Sequence, residues 1–138
     1  MDIVRRNTDY ALRAMVNLAH NHGNGLVSSR TIAAEEDIPY QLACKLMQKL
    51  ADAGLVASVM GSKGGYRLRR DASEINLMNV IGAIQGPVRL NRCLLSDKAC
   101  SQQKNCPVKT KLEKLQQQMD EYFGSVSLKE LVSKRASR

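Results

Sequence analysis

Residues 40–70 read YQLACKLMQKLADAGLVASVMGSKGGYRLRR. The stretch from Tyr40 to Ala53 predicts a helix. At about 100° per residue, Leu42, Ala43, Leu46, Met47, Leu50 and Ala53 share one side. Gln41, Lys45, Gln48, Lys49 and Asp52 share the other, with Cys44 at the margin. Gly54 can end the helix in the left-handed conformation. Two strand candidates follow, Leu55 to Met60 and Tyr66 to Arg70, joined by the hairpin sequence Gly61-Ser62-Lys63-Gly64-Gly65. Alternation along the second strand turns Tyr66 and Leu68 inward and Arg67 and Arg69 outward. Lys63 stands at the tip of the hairpin and Arg70 just beyond it.

Upstream, Ser28 or Ser29 can cap a short helix from Arg30 to Glu36, and Asp37-Ile38-Pro39 makes a tight turn. Two short helices joined by a three-residue turn form a helix-turn-helix, and a hairpin directly after the second of them is a wing. An earlier helix runs from about Thr8 to His20, with Asn7 or Thr8 as its cap and Ala11, Leu12, Met15, Leu18 and Ala19 at helical spacing. The loop His20-Asn21-His22-Gly23-Asn24-Gly25 stops it.

Downstream, Asn76 caps a helix from Leu77 to Gln85, with Val80, Ile81 and Ile84 inward, and Gly86-Pro87 ends it. Residues 88–106 carry no helical or strand period. Pro107 suits the first position of a long helix. Val108, Leu112, Leu115, Met119 and Tyr122 recur there at alternating spacings of four and three, a heptad seam. A final amphipathic turn spans Leu128 to Val132, and the basic tail 133–138 is expected to lack order. The fold expected is mainly α with a small β-wing, a winged helix-turn-helix plus a long C-terminal dimerisation helix. One compact domain contains a DNA-binding region (1–86), a cysteine-bearing loop (87–106), the dimerisation helix and C-terminal turn (107–132) and the tail.

The polar face of the third helix and the basic wing together point to double-stranded DNA. Glutamine can bond adenine through both its amide groups, and lysine reaches guanine or phosphate. Because the N-terminal part of the second helix of a helix-turn-helix meets base edges, Gln41, Lys45 and Gln48 are the expected readers. Ser28, Tyr40, Lys49, Ser62, Lys63, Arg67 and Arg69 complete the candidate surface. The charge agrees: 21 Lys and Arg against 13 Asp and Glu give +8, which favours a polyanion through counterion release.

Four cysteines occur, Cys44 alone and Cys93, Cys100 and Cys106 spaced C-x6-C-x5-C. A secreted disulfide scaffold is not expected, since three clustered cysteines cannot all pair among themselves and the N-terminus shows no apolar stretch of signal-peptide length. The close pairs usual in structural zinc sites are absent. The spacing leaves open an iron–sulfur cluster, a zinc ion or oxidation-sensing free thiols. Cys44, beside an apolar helix face, reads as a packing residue.

The segments Asn7-Thr8-Asp9-Tyr10-Ala11-Leu12-Arg13, Ile38 through Val56 and Gly61 through Leu68, followed by the three cysteines in order, resemble the Rrf2 family of bacterial transcription regulators. The resemblance covers Met1 to Val132. It implies a homodimer with a crossing C-terminal helix, reading a partly palindromic operator, and a [2Fe–2S] or [4Fe–4S] cluster on Cys93, Cys100 and Cys106. IscR-like members add a histidine three residues after the last cysteine, where this chain has Lys109, a poor ligand. NsrR-like members use an aspartate near the N-terminus of the other subunit, which Asp9 matches; read without the family, Asp9 is a charge favourably placed at a helix start. Met60 stands where arginine is common before the wing glycine, and Lys63 is the substitute cation.

These readings imply a repressor sensing nitric oxide, redox state or iron–sulfur supply. A cluster-free thiol switch or zinc-bound regulator is the alternative, and a small metal-binding or electron-transfer module is the reading from another class. An enzyme is not expected, with His20 and His22 in a loop and no nucleophile–base motif. No apolar run approaches the roughly 20 residues of a membrane span, so no membrane partner is expected and the cytoplasm is the expected location.

Overall fold

The computed structural model describes residues 2–91, 94, 95 and 105–135. Their elements are α1 (Arg6–His20), α2 (Ser29–Glu36), α3 (Tyr40–Asp52), β1 (Val56–Val59), β2 (Gly65–Leu68), α4 (Leu77–Ile84), α5 (Pro107–Ser125) and α6 (Leu128–Arg135), with a 3-10 turn at Ala72–Glu74. The mainly helical class with a small β-wing is as expected.

Helix α1 is the hub, packing against α2, α3, α4, α6 and β2. Its buried stripe, Ala11, Ala14, Met15 and Leu18, is rich in alanine, which lets neighbouring backbones approach. It begins two residues before the expected start, and neither Asn7 nor Thr8 caps it; the N-cap is Arg5, with no side-chain cap bond. The missing cap is supplied from the far end of α4. Gln85 Oε1 accepts from the Arg5 amide (3.0 Å) and from the Thr8 hydroxyl (2.7 Å), and its Nε2 donates to the Ile3 carbonyl (2.9 Å). Thr8 is accordingly buried.

Helix α2 starts where Ser28 accepts from the Thr31 amide at 3.1 Å. Asp37 ends it in the left-handed region, and the chain enters α3 through Pro39. Ala43, Leu46, Met47 and Leu50 of α3 are buried, each large one contributing roughly 1.5–3 kcal/mol. Ala53, expected inward, is exposed because the helix ends at Asp52. Gly54 turns the chain with φ 77°, and Leu55 N bonds back to Leu50 O at 3.0 Å.

Strands β1 and β2 pair antiparallel, Val56 opposite Leu68 and Val59 opposite Gly65. A third partner was not foreseen: Val27 exchanges two backbone bonds with Tyr66, at 2.8 and 2.9 Å. This ties the wing to the residue just before the α2 cap. The tip is sterically fixed, since a Cβ at Gly64 would collide with the Val59 carbonyl.

Asn76 caps α4 in a reciprocal capping box with Asn79. The C-terminal segment folds back here, as Leu77 N bonds Val126 O (3.0 Å) and Leu128 N bonds Ile75 O (2.9 Å), burying Ile75 and Leu128 completely. Helix α6 packs on α1 and continues to Arg135, into the stretch expected as tail. Residues 136–138 lie outside the described part.

Candidate nucleic-acid interface and cysteine segment

The polar side of α3 is open. Tyr40, Gln41, Lys45, Gln48 and Lys49 are all exposed, while the opposite side is in the core. Gln48 is not idle: its Nε2 donates to Asp52 Oδ1 at 3.0 Å. Pairing with a base through both amide groups would require that bond to break.

The wing leaves Ser62, Lys63, Arg67, Arg69 and Arg70 exposed and Leu68 buried, as the alternation requires. Tyr66 is half-buried at the joint with Val27. Because β2 abuts Val27 and Ser28, and Arg30 of α2 lies over the ring of Tyr40, the base of the wing, the α2 cap and the start of α3 lie side by side. Met60 projects from the tip of the hairpin, 90% exposed.

One exposed cation beside this surface was missed in the sequence reading. Arg30, exposed in the first turn of α2, lies over the Tyr40 ring at 4.6 Å from its centroid. A cation two residues past a helix cap was the available signal. The Tyr40 phenol is raised above its ordinary pKa, first by its hydrogen bond to the Cys44 sulfur and then by that sulfur's charge when ionised; Arg30 pulls it the other way. Tyr40 therefore stays a neutral hydroxyl well into the alkaline range. Cys44 is half-buried, at the margin of the apolar face.

Of the cysteine cluster, Cys93 and Cys100 lie outside the described residues. Cys106 is half-buried at the N-cap of α5, with Pro107 in the first turn. Lys109, at the position where a histidine ligand was sought, pairs with Glu113 at 3.6 Å and is 17% exposed at its side chain. The stem leading into the segment is held by α5, where Gln116 Oε1 accepts from Leu90 N (2.9 Å) and Nε2 donates to Val88 O (2.8 Å). Among the described residues no three His, Cys, Asp or Glu side chains gather as a metal site.

Asp9 lies exposed in the first turn of α1, 3.6 Å from Arg13 Nε. That distance makes an ion pair and not a hydrogen bond, and Arg13 Nε has no hydrogen-bond acceptor. Arg13 Nη1 donates to the Glu36 carbonyl at 2.9 Å, and the buried Glu36 carboxylate accepts from Asn17 at 2.8 Å. His22 is exposed in the loop beyond α1, and His20 is exposed at the helix end.

The apolar seam of α5 is largely uncovered, with Val108, Leu115 and Tyr122 51–65% exposed and Leu112 and Met119 half-buried. No helix among the described residues is long and apolar enough to cross a membrane.

Comparison with known proteins agrees with this architecture. The family model Rrf2, described as an iron-dependent transcriptional regulator, matches residues 4–134. The HTH-type transcriptional regulator IscR of Xenorhabdus nematophila is 33% identical over 123 residues, 89% of this chain and 74% of the relative. Among solved structures, CymR, the global cysteine regulator of B. subtilis, superposes with TM-score 0.82 at 27% identity, covering 97% of this chain and 98% of CymR. IscR of T. potens gives 0.77 at 26% identity, covering 96% and 87%.

Proposed function

The chain belongs to the Rrf2 family of helix-turn-helix transcription regulators, and on that premise we propose that it is a homodimeric repressor whose affinity for its operator is set by an iron–sulfur cluster. It is a DNA-binding regulator and not an enzyme. The observation that carries the DNA-reading surface is the exposed Gln41, Lys45, Gln48 and Lys49 face of α3 beside a basic wing. Two such units, set about 34–36 Å apart by a dimer, match a partly palindromic operator. The location that goes with this role is the cytoplasm, where cysteines stay reduced.

The ligands proposed for a [2Fe–2S] or [4Fe–4S] cluster are Cys93, Cys100, Cys106 and the partner's Asp9. The described part of the donor set fits. Cys106 is a free, half-buried thiol at the N-cap of a 19-residue helix, and thiolates are the usual ligands of iron in such clusters. Lys109 faces Glu113 and offers no lone pair while charged. The iron-dependence in the family description supports the same choice of metal. When bound, the cluster would supply iron sites open to nitric oxide or oxygen. The chain's own part is to hold the cysteine segment against α5 through Gln116, and to pass any change at Asp9 through Arg13 to the end of α2.

The test is the absorption spectrum, iron and sulfide content of anaerobically purified protein. DNA binding of the loaded and stripped forms is then compared. A loaded protein whose DNA affinity ignores cluster removal defeats the proposal. A second reading, a metal-free thiol switch, is favoured by the likeness to CymR, a cysteine regulator. It requires protein without iron or sulfide whose DNA binding changes reversibly on thiol oxidation.

A further inference from the structure

The stacked pair Arg30 and Tyr40 lies where three elements meet. Arg30 is in the first turn of α2, Tyr40 is the first residue of α3, and β2 abuts Val27 and Ser28 at the α2 cap. At this end α3 enters the major groove in a helix-turn-helix, and the preceding helix crosses the phosphate backbone. The guanidinium lies over the phenol ring, 4.6 Å from its centroid. Among the described residues Arg30 is in no ion pair. Its side chain is exposed, and stacking uses the face of the guanidinium while leaving its N–H edge available to an anion.

We propose that Arg30 is a backbone-phosphate contact of the DNA complex, preorganised by its stack on Tyr40. An arginine held in one orientation loses less rotamer freedom when it binds, and its fork of donors matches two phosphate oxygens. Arg30 thus supplies affinity and fixes the seating of α2, while base choice remains with α3. The proposal rests on the DNA-binding reading and adds a contact that the polar face of α3 does not contain.

Phosphate contacts act on any sequence, so the test needs no known operator. The full chain is titrated with a mixed-sequence DNA duplex over a range of salt concentrations. Arg30→Ala should weaken binding several-fold at low salt and reduce the slope of log affinity against log salt by about 0.9 per protomer. Arg30→Lys should restore the slope but not the affinity, because an ammonium keeps the charge without the planar stack. Arg30→Ala combined with Tyr40→Ala should cost less than the sum of the two single changes. Circular dichroism checks the fold of each variant, and Arg30→Gln replaces Arg30→Ala if the alanine chain does not fold. A variant without the Arg30 charge but with the wild-type slope overturns the phosphate contact. Additive single changes overturn the role of the stack. Wild-type binding that ignores salt would instead defeat the DNA-binding surface itself, a separate failure.

Discussion

Gln116 of α5 clasps the main chain at Val88, donating to its carbonyl at 2.8 Å while accepting from the Leu90 amide two residues on. Gln116 is 7% exposed, and its amide also donates to Asp120 at 2.9 Å. One amide thus replaces the strand partner that residues 88–90 lack, and fixes the path of the chain three residues before Cys93. Gln116→Leu would leave a carbonyl and an amide unpaired, at a cost of about 1–3 kcal/mol for each group that water cannot reach. We expect a lower urea midpoint and, in anaerobic protein, faster loss of the cluster absorbance. An unchanged midpoint and absorbance would mean that the cysteine segment is held elsewhere.

The seam of α5 gives the second prediction. Val108 to Tyr122 is a stripe about 21 Å long, and its three most exposed residues are all large and apolar. Such a stripe calls for a partner, and a second copy of α5 is the self-complementary choice. Leu115→Glu should give monomers or aggregates with greatly reduced DNA binding. Wild-type protein that sediments as a monomer at micromolar concentration contradicts the dimer.

On α3, Lys45→Ala should cost roughly 1–3 kcal/mol on the specific operator if Lys45 reads a base. Lys63→Ala should lower affinity on all sequences alike and flatten the salt dependence. Asp52→Ala removes a carboxylate from this face and frees the Gln48 amide it now holds, so affinity should rise. Competition binding with operator and mixed-sequence duplex separates these outcomes. Equal losses on both duplexes for Lys45→Ala would reduce that residue to a phosphate contact.

The parts of the molecule that sequence made legible are those built by local periodicity. The helix-turn-helix, the two faces of α3, the hairpin and its outward arginines follow from spacing within residues 28–70. Gln85 and Gln116 were not legible. Each acts on backbone far along the chain, 80–82 residues away for Gln85 and 26–28 for Gln116, and an isolated glutamine carries no pattern that points to such a partner. The extension of α6 was hidden for a related reason. Its tertiary anchor, Leu128, is set by pairing of Leu128 with Ile75 and not by its own helix. Arg30 was not legible either, because its stack on Tyr40 joins two helices across a turn and a lone arginine in a helix's first turn carries no pattern that points to it.

Met60 offers a test of the wing. It is 90% exposed on a tip that also carries Lys63, and apolar wedges, methionine among them, are one way to enter a minor groove. Met60→Arg should steepen the salt dependence by about 0.9 per protomer as a new cation reaches the backbone. A slope unchanged from wild type would show that the tip stays away from DNA.

The last prediction concerns Asp9 and its two competing partners. Within its own chain it is ion-paired with Arg13 at 3.6 Å, both side chains being substantially exposed, so the pair is worth little and is easily exchanged. Arg13 matters more for what it does next, since its Nη1 donates to the carbonyl of Glu36, the last residue of α2. Beyond Glu36 only a three-residue turn separates it from α3. If Asp9 serves as a ligand in the partner subunit's site, Arg13 loses its counter-charge and the α1–α2 joint changes. If the site is empty, Asp9 returns to Arg13. Ligand state can alter DNA affinity only through such a difference between two states. Two variants separate the roles. Cys100→Ala should abolish the cluster, whereas Asp9→Ala should leave one with an altered spectrum and faster loss in air, because a carboxylate is the one hard ligand among thiolates. Arg13→Ala should leave the spectrum unaltered while shrinking the difference in DNA affinity between loaded and stripped protein. An Asp9→Ala protein that matches wild type in spectrum, nitric oxide response and DNA affinity would make Asp9 a helix-start charge only, with the fourth ligand elsewhere.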